Sequence, residues 1–396
     1  MNHRYSERIC STQKSFIREI LKVTADPEII SFAGGLPNPN LIDDEGIQRA
    51  AAALLKEDGK TALQYSTTEG HPPLREWIAE RYRTRYGLSV SADQILITNG
   101  SQQCLDLIGK VYLDKGDSVI VEDPGYLGAI QSFSMFQAEF LPVPLNEEGP
   151  DLERLTTVLE TSSAKFMYGI PNSQNPSGIT YSENRRKDLA AILCDHDMPF
   201  VEDDAYGELQ FDGVTRKPVS AYMGGEGILT GSFSKIFSPG MRMGWVCAPE
   251  EVMEKILIAK QASDLHSNYL SQRILSKYLE ENDIDAHIAV INEEYRKRAG
   301  WMISQMEKCF PDDVQFTRPT GGMFIWLTLP EGVSSSELFD AALKRKVAIL
   351  PGTPFYADGG GDSTARINFS NADKEDIMAG IEIVAEVLEE IRSTPQ

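Results

Sequence analysis

Cysteine is scarce and unpatterned in this sequence: Cys10, Cys104, Cys194, Cys247 and Cys309 are widely spaced, odd in number and never form CxxC. That argues against a disulfide framework and for a reducing, cytoplasmic setting. The histidines, His3, His71, His196, His266 and His287, never approach HExxH or another ligand spacing, so no metal is expected. A triphosphate-binding loop of the form GxxxxGK[ST] is missing, and GILTGSFSK does not supply one. Basic residues number 38 against 59 acidic, and the formal net charge of -21 repels nucleic acid and anionic membrane. No apolar stretch approaches the length of a membrane span, and the opening MNHRYSERICSTQKSF lacks the apolar core of a signal peptide. Neither nucleic acid nor membrane is expected as a partner.

What the sequence does contain is an α/β rhythm. A chain of 396 residues exceeds the size at which one core usually stops growing, so two domains are expected. From about residue 94, the short apolar runs QILIT, SVIVE, AKFMYGI, MPFVEDD, GILTGS and MGWVCAP alternate with longer amphipathic segments. Each run ends in a loop rich in Gly, Asn, Asp, Pro or Ser, and open α/β sheets bind ligands at such strand ends. Over residues 284–309, Ile284, Ile288, Ile291, Tyr295, Ala299, Met302 and Met306 recur at helical spacing and predict one long helix. Beyond it, GGMFIWLTL, a helix from about Ser335, VAIL, TARINFS and a final helix read as a compact α+β unit.

Several strand ends carry residues suited to chemistry. GSFSKIFSPGMRMGWV sets Ser232, Ser234, Lys235 and Arg242 around one loop, a cup of hydroxyls and a guanidinium with a lysine able to reach an aldehyde. Taken alone, it also reads as a polar surface loop. Asn99, Gly100, Ser101, Gln102 and Gln103 open a helix, either as an anion site or as an ordinary N-cap. Asp203, with Asp204 beside it, ends MPFVEDD; a carboxylate there can keep a pyridine nitrogen protonated or simply face water. Asn172 and Asn175 lie in the Pro-constrained loop of YGIPNSQNPSG, where an amide can donate to a phenolic oxygen. Tyr126 sits just past another strand, placed to stack on a planar ligand or to fill core. Arg366 lies on a predicted strand, and a guanidinium suits an amino acid's α-carboxylate as well as a surface ion pair.

Together, ISFAGGLPNPN, LQYSTTEG, TNGSQQ, EDPGY, NSQNPSG, VEDDAY and SFSKIFSPGMRMGW resemble, in chain order over roughly residues 16–390, the class I/II pyridoxal phosphate aminotransferases of fold type I. The branch with 2-aminoadipate and kynurenine aminotransferases is the most similar. The resemblance implies a large domain with a mostly parallel sheet flanked by helices, plus a smaller α+β domain. It divides the chain into an N-terminal arm and helix joining the small domain (1–45), a large cofactor-binding domain (46–285), and the long helix with the small C-terminal domain (286–396).

The resemblance also assigns roles for pyridoxal 5′-phosphate. Lys235 would hold the aldehyde as a Schiff base and move the α-proton, Asp203 would pair with the ring nitrogen, and Tyr126 would complete the catalytic set by stacking on the ring. Asn175 and Tyr206 would hold the phenolic oxygen, and Ser101, Gln102, Ser232, Ser234 and Arg242 the phosphate. Tyr65 would reach the phosphate of a second subunit, which implies a homodimer. Arg366 would grip the substrate α-carboxylate, with Asn175 and Gly35 beside the substrate.

Lys14, Arg18 and Lys22 share one face of KSFIREILKVT, a solvated basic stripe unless Arg18 matches the arginine that relatives carry on a mobile helix over the substrate. The implied activity is transfer of an α-amino group to a 2-oxo acid, with 2-oxoglutarate as acceptor. A broad donor range including 2-aminoadipate, aromatic or branched-chain amino acids is implied with it. A lyase or decarboxylase on the same fold is the alternative, because the fold does not fix which bond breaks. A regulator with an aminotransferase-like domain is not expected, since only about fifteen residues precede the first predicted helix. Ile42, Asp43 and Asp44 depart from the more apolar segment that relatives carry after LPNPNL.

Overall fold

The computed structural model describes residues 4–12, 20 and 26–393. Among them the strands run, in chain order, β1 (Ile30–Ser31), β2 (Ile95–Thr98), β3 (Ser118–Asp123), β4 (Glu139–Asn146), β5 (Gly149–Pro150), β6 (Phe166–Gly169), β7 (Phe200–Asp204), β8 (Ile228–Ser232), β9 (Gly244–Cys247), β10 (Gln315–Phe316), β11 (Phe324–Thr328), β12 (Val347–Ala348), β13 (Leu350–Pro351) and β14 (Thr364–Asn368). The larger sheet has the order β2-β9-β8-β7-β6-β3-β4-β5. Its pairs β8/β7, β7/β6, β6/β3 and β3/β4 are parallel, while β9 runs antiparallel to both β8 and β2. Helices connect β2 to β3, β3 to β4, β5 to β6 and β6 to β7. Strands β2, β6, β8 and β9 are buried along their whole length, which is why each is written as an apolar run rather than an alternation.

The second sheet is antiparallel, in the order β10-β11-β14-β13. β1 pairs in parallel with β12 beside it, and Phe32 accepts from the Asn368 amide at 2.8 Å, so the segment from Ile30 enters the cleft along this sheet. The helix Ile284–Cys309 occupies the span that its periodicity predicts, with all seven periodic apolar residues buried. It packs along the helix Lys374–Ser393. Asp283 starts it, its Oδ1 accepting from the Ala286 amide at 3.0 Å. Among the described residues no helix is long and apolar enough to cross a membrane.

The Asp283 cap satisfies one of the four free amides at the start of a long buried helix. Asp283→Ala is expected to lower stability by about 1 kcal/mol, read as a lower urea midpoint with an unchanged m-value.

Candidate active site

Five loops converge at one edge of the larger sheet. After β2 the chain turns at Gly100 (φ +79°) into the helix Ser101–Tyr112, whose N-terminus has no side-chain cap. A Cβ at Gly100 would stand 2.6 Å from Arg242 Nη2, so the turn needs glycine for its backbone angle and for the guanidinium beside it. Arg242, before β9, donates from Nη2 to Asn99 O at 3.0 Å and from Nη1 to Ser234 Oγ at 3.5 Å. Ser232 Oγ accepts from the Ser234 amide at 3.1 Å. Open helix amides, hydroxyls and a cation thus surround one point, the composition of a phosphate site. Gln102 has a different first partner, its Nε2 donating to Gly128 O at 3.0 Å next to the Tyr126 turn.

Asp203 lies at the end of β7, with 2% of its surface exposed. The register places Thr230 directly beside it on β8, and Thr230 Oγ1 donates to Asp203 Oδ1 at 3.0 Å. From the other side, on β6, Tyr168 Oη donates to Oδ2 at 2.9 Å. Burial pushes the Asp203 carboxyl up to about 6, and these two donors oppose the rise. It is therefore mainly anionic at neutral pH. Asp204 points away, because successive strand residues face opposite sides. Its Oδ1 accepts from Asn172 Nδ2 at 2.8 Å, and Asn172 Oδ1 accepts from the buried Arg186 at 2.7 Å. That arrangement separates the paired candidates: Asp203 and Asn175 face the cleft, Asp204 and Asn172 its supporting layer.

Asn175 is buried and connects two groups, accepting from Arg366 Nη1 at 2.8 Å through Oδ1 and hydrogen-bonding Tyr206. Arg366 comes from β14, the strand between β11 and β13. Its Nη2 donates to Ala33 O at 2.8 Å, while the faces of Phe324 and Phe355 lie 4.2 and 5.4 Å from Cζ. Only 2% of Arg366 is exposed, its Nε has no partner among the described residues, and the acceptors it bonds are neutral. Burial pushes Arg366 down to about 10, so it stays cationic at neutral pH.

Lys235 follows β8 and donates from Nζ to Gly35 O at 2.9 Å. A Cβ on Gly35 would lie 3.2 Å from Phe324 Cζ and 3.9 Å from Arg366 Nη2, so the same glycine adjoins both cations. Burial, then the positive charges of Arg366 and Arg242, pushes the Lys235 ammonium down to about 8. Tyr126 ends the turn after β3, half-buried, and burial pushes its hydroxyl up to about 12. Tyr65 lies outside this grouping, 79% exposed, with its ring edge-on to His266 at 5.8 Å. Arg18, with Phe16, Ile17, Leu21, Lys14 and Lys22, lies outside the described residues; of that stretch Ile20 is described, buried against Ala33, Trp326 and Phe355.

Sequence reasoning missed Tyr168, Thr230, Phe324 and Phe355, which seat Asp203 and Arg366. Each is written inside or next to an apolar segment, where it reads as core. Among the described residues no group of three or more His, Cys, Asp or Glu is placed to hold a metal ion.

The Lys235 shift has a direct readout. Labelling of the Lys235 peptide by an amine-directed acylating reagent should rise through a midpoint near pH 8, as the neutral amine forms. Arg366→Gln, which removes one repelling charge, should move that midpoint upward. A midpoint near the ordinary lysine value in both proteins would contradict the assigned environment.

Residues 38–384 match the family model described as aminotransferase class I and II. The 2-aminoadipate transaminase of Thermus thermophilus is 44% identical, over 93% of this chain and 92% of that protein. Aromatic-amino-acid aminotransferase 1 of Thermococcus litoralis is 41% identical, over 98% of this chain and 94% of its own length. A crystal structure of the Thermus thermophilus α-aminoadipate aminotransferase, complexed with N-(5′-phosphopyridoxyl)-L-leucine, superposes with a TM-score of 0.92 at 40% identity, covering 98% of each chain. Matched in sequence and in fold over nearly its whole length, this chain belongs to the class I and II aminotransferases and has their fold type I architecture.

Proposed function

We propose that this enzyme uses pyridoxal 5′-phosphate, held by Lys235, to move the α-amino group of an amino acid to a 2-oxo acid. One observation carries the reading. Lys235 and Arg366 are two enclosed cations on either side of Gly35, and the acceptors they bond are neutral. Burying an unpaired charge is costly, so the pair is a site prepared for an anion and an electrophile.

The residues fit the cofactor. The uncapped helix at Ser101, with Gln102, Ser232, Ser234 and Arg242, would hold the phosphate; Asp203 would meet the ring nitrogen, Asn175 and Tyr206 the phenolic oxygen, and Tyr126 the ring face. When bound, pyridoxal 5′-phosphate supplies an aldehyde that captures the amino group and a ring that accepts the electrons left when the α-proton departs. Lys235, close to neutrality near pH 8, is suited to hold that aldehyde and then to accept the proton from Cα. Asp203 would keep the ring nitrogen protonated. Arg366 takes the donor's α-carboxylate through its remaining N–H groups, next to Gly35 and Asn175.

The acceptor in this reading is 2-oxoglutarate, and the donors span 2-aminoadipate, aromatic and branched-chain amino acids. The names of the relatives and the leucine adduct in one of them support that range. Arg18 is the group proposed to meet a distal carboxylate. The enzyme acts as a homodimer, with Tyr65 reaching the partner's phosphate site; the exposed Leu63, Tyr65 and Leu265 support a covered face there. The domain division is 1–45, 46–285 and 286–396, supported by the pairing of β1 with β12. A cytoplasmic location accords with five free thiols.

Borohydride should fix pyridoxal phosphate to the peptide containing Lys235; label on Lys260 would end the assignment. Asp203→Asn should retain cofactor yet turn over at least about tenfold more slowly, since a charged hydrogen bond contributes about 1.5 to 3 kcal/mol. Normal turnover there with an inactive Asp204→Asn would move the role to Asp204. Arg18→Ala should raise KM for acidic donors about tenfold and spare leucine. In an amino-donor screen, glutamate formed from 2-oxoglutarate marks the transferase, whereas ammonia or carbon dioxide release marks the lyase or decarboxylase.

A further inference from the structure

Glu122 is the penultimate residue of β3, 1% exposed, and bonds none of the proposed cofactor or substrate contacts. Its carboxylate gathers three donors from a single loop. Oε1 accepts from the Ile170 amide at 3.0 Å and from Tyr181 Oη, which stand at the two ends of that loop. Oε2 accepts from Gln174 Nε2 at 3.0 Å in its middle. Gln174 is fully buried and immediately precedes Asn175. The same Nε2 donates to Pro124 O at 2.8 Å, two residues before Tyr126, and Gln174 Oε1 accepts from the Ser177 amide at 2.7 Å. Burial pushes the Glu122 carboxyl up to about 7, with the hydrogen bonds from Tyr181, Gln174 and Ile170 opposing it.

We infer that Glu122 is a positioning residue for the reaction, fixing the Asn175 loop against the Tyr126 turn and, through Asn175, holding Arg366 in register for the α-carboxylate. The inference rests on the roles proposed above for Asn175, Tyr126 and Arg366. Glu122 suits the task because all three groups facing it donate, and these bonds favour the ionised carboxylate, which only accepts, against the burial that raises its pKa. Asn175 in turn meets both Arg366 and Tyr206, so a shift of Gln174 reaches the substrate carboxylate and the phenolic oxygen together. One carboxylate therefore sets the spacing between contacts that come from different strands.

The experiment is Glu122→Gln, which keeps the shape but turns an N–H toward a donor whichever way the amide lies. In cofactor-free protein, hydrogen exchange in the peptide spanning residues 170–181 should quicken about tenfold while the rest of the sheet stays protected. In the loaded enzyme, KM should rise about tenfold for acidic and apolar donors alike, with kcat changing less. The pH midpoint of the cofactor's absorbance should shift as well. Adding Gln174→Glu restores a donor–acceptor pair and should recover part of both effects. Gln174→Ala, which leaves Glu122 bound to Ile170 and Tyr181, should raise KM in the same way, and it replaces Glu122→Gln should that variant not fold. Wild-type exchange and KM in these variants overturn the inference, as does a lowered melting temperature with no local change. Asn175→Ala run alongside separates the two layers. A normal KM there defeats the role given to Asn175, whereas a raised KM there with a wild-type Glu122→Gln defeats the positioning role alone.

Discussion

The arrangement of this cleft follows from leaving Arg366 without a counter-ion among the described residues. A guanidinium with 2% of its surface exposed, bonded among the described residues to an amide oxygen and a backbone carbonyl, keeps its charge because two hydrogen bonds and two ring faces partly replace water. A carboxylate partner inside the protein would stabilise it more and close the site. The cost is tolerated because an arriving anion recovers it. Burial, with the same positive field added to it, holds Lys235 near 8 and leaves a usable fraction of neutral amine at working pH. On the far side, Asp203 is a buried anion supported by two hydroxyls. The cleft is thus positive where, in the proposed reading, carboxylate and phosphate would arrive and negative where a protonated ring nitrogen would lie.

Those charges keep their spacing because each is fixed to a strand end of one rigid sheet. Asp203, Tyr168 and Thr230 come from β7, β6 and β8, adjacent in the sheet though distant in sequence. Their mutual distances are set by hydrogen-bonded register rather than by flexible loops. Arg366 is the exception, arriving from the second sheet, and it is tied back through Asn175 and Ala33.

Much of this was legible in the sequence, and the physical reason differs from feature to feature. The six strands of the larger sheet that start from apolar runs are readable because burial on both faces leaves no polar alternation to confuse with a surface. The long helix is readable because seven apolar residues recur at helical spacing after a capping aspartate. Lys235, Asp203 and Asn175 are readable as polar residues placed at or beyond the ends of such runs, and Arg366 as a guanidinium on a strand. The choice of Asp203 over Asp204 came from resemblance, and the structure supplies a physical reason in the face each residue takes. Tyr168, Thr230 and Glu122 stay hidden, because their meaning depends on which strands become neighbours. Strand order is a long-range property that no local pattern encodes. The resemblance implies a phosphate role for Gln102, whereas its bond to Gly128 O depends on a turn 26 residues away.

Gly35 shows how the two sheets act on one substrate. Its carbonyl accepts from Lys235, and a side chain on its α-carbon would press on Phe324 and approach Arg366. The segment that carries it leaves β1, which pairs with β12 next to the second sheet. A carboxylate bound at Arg366 would therefore lie against the same segment whose Gly35 carbonyl accepts from Lys235. Binding at the α-carboxylate is common to every amino acid, so this coupling cannot distinguish one donor from another. Discrimination has to come from groups that meet only the side chain. It follows that donor range can change through residues that meet the side chain alone, without disturbing Arg366, Asn175 or Lys235.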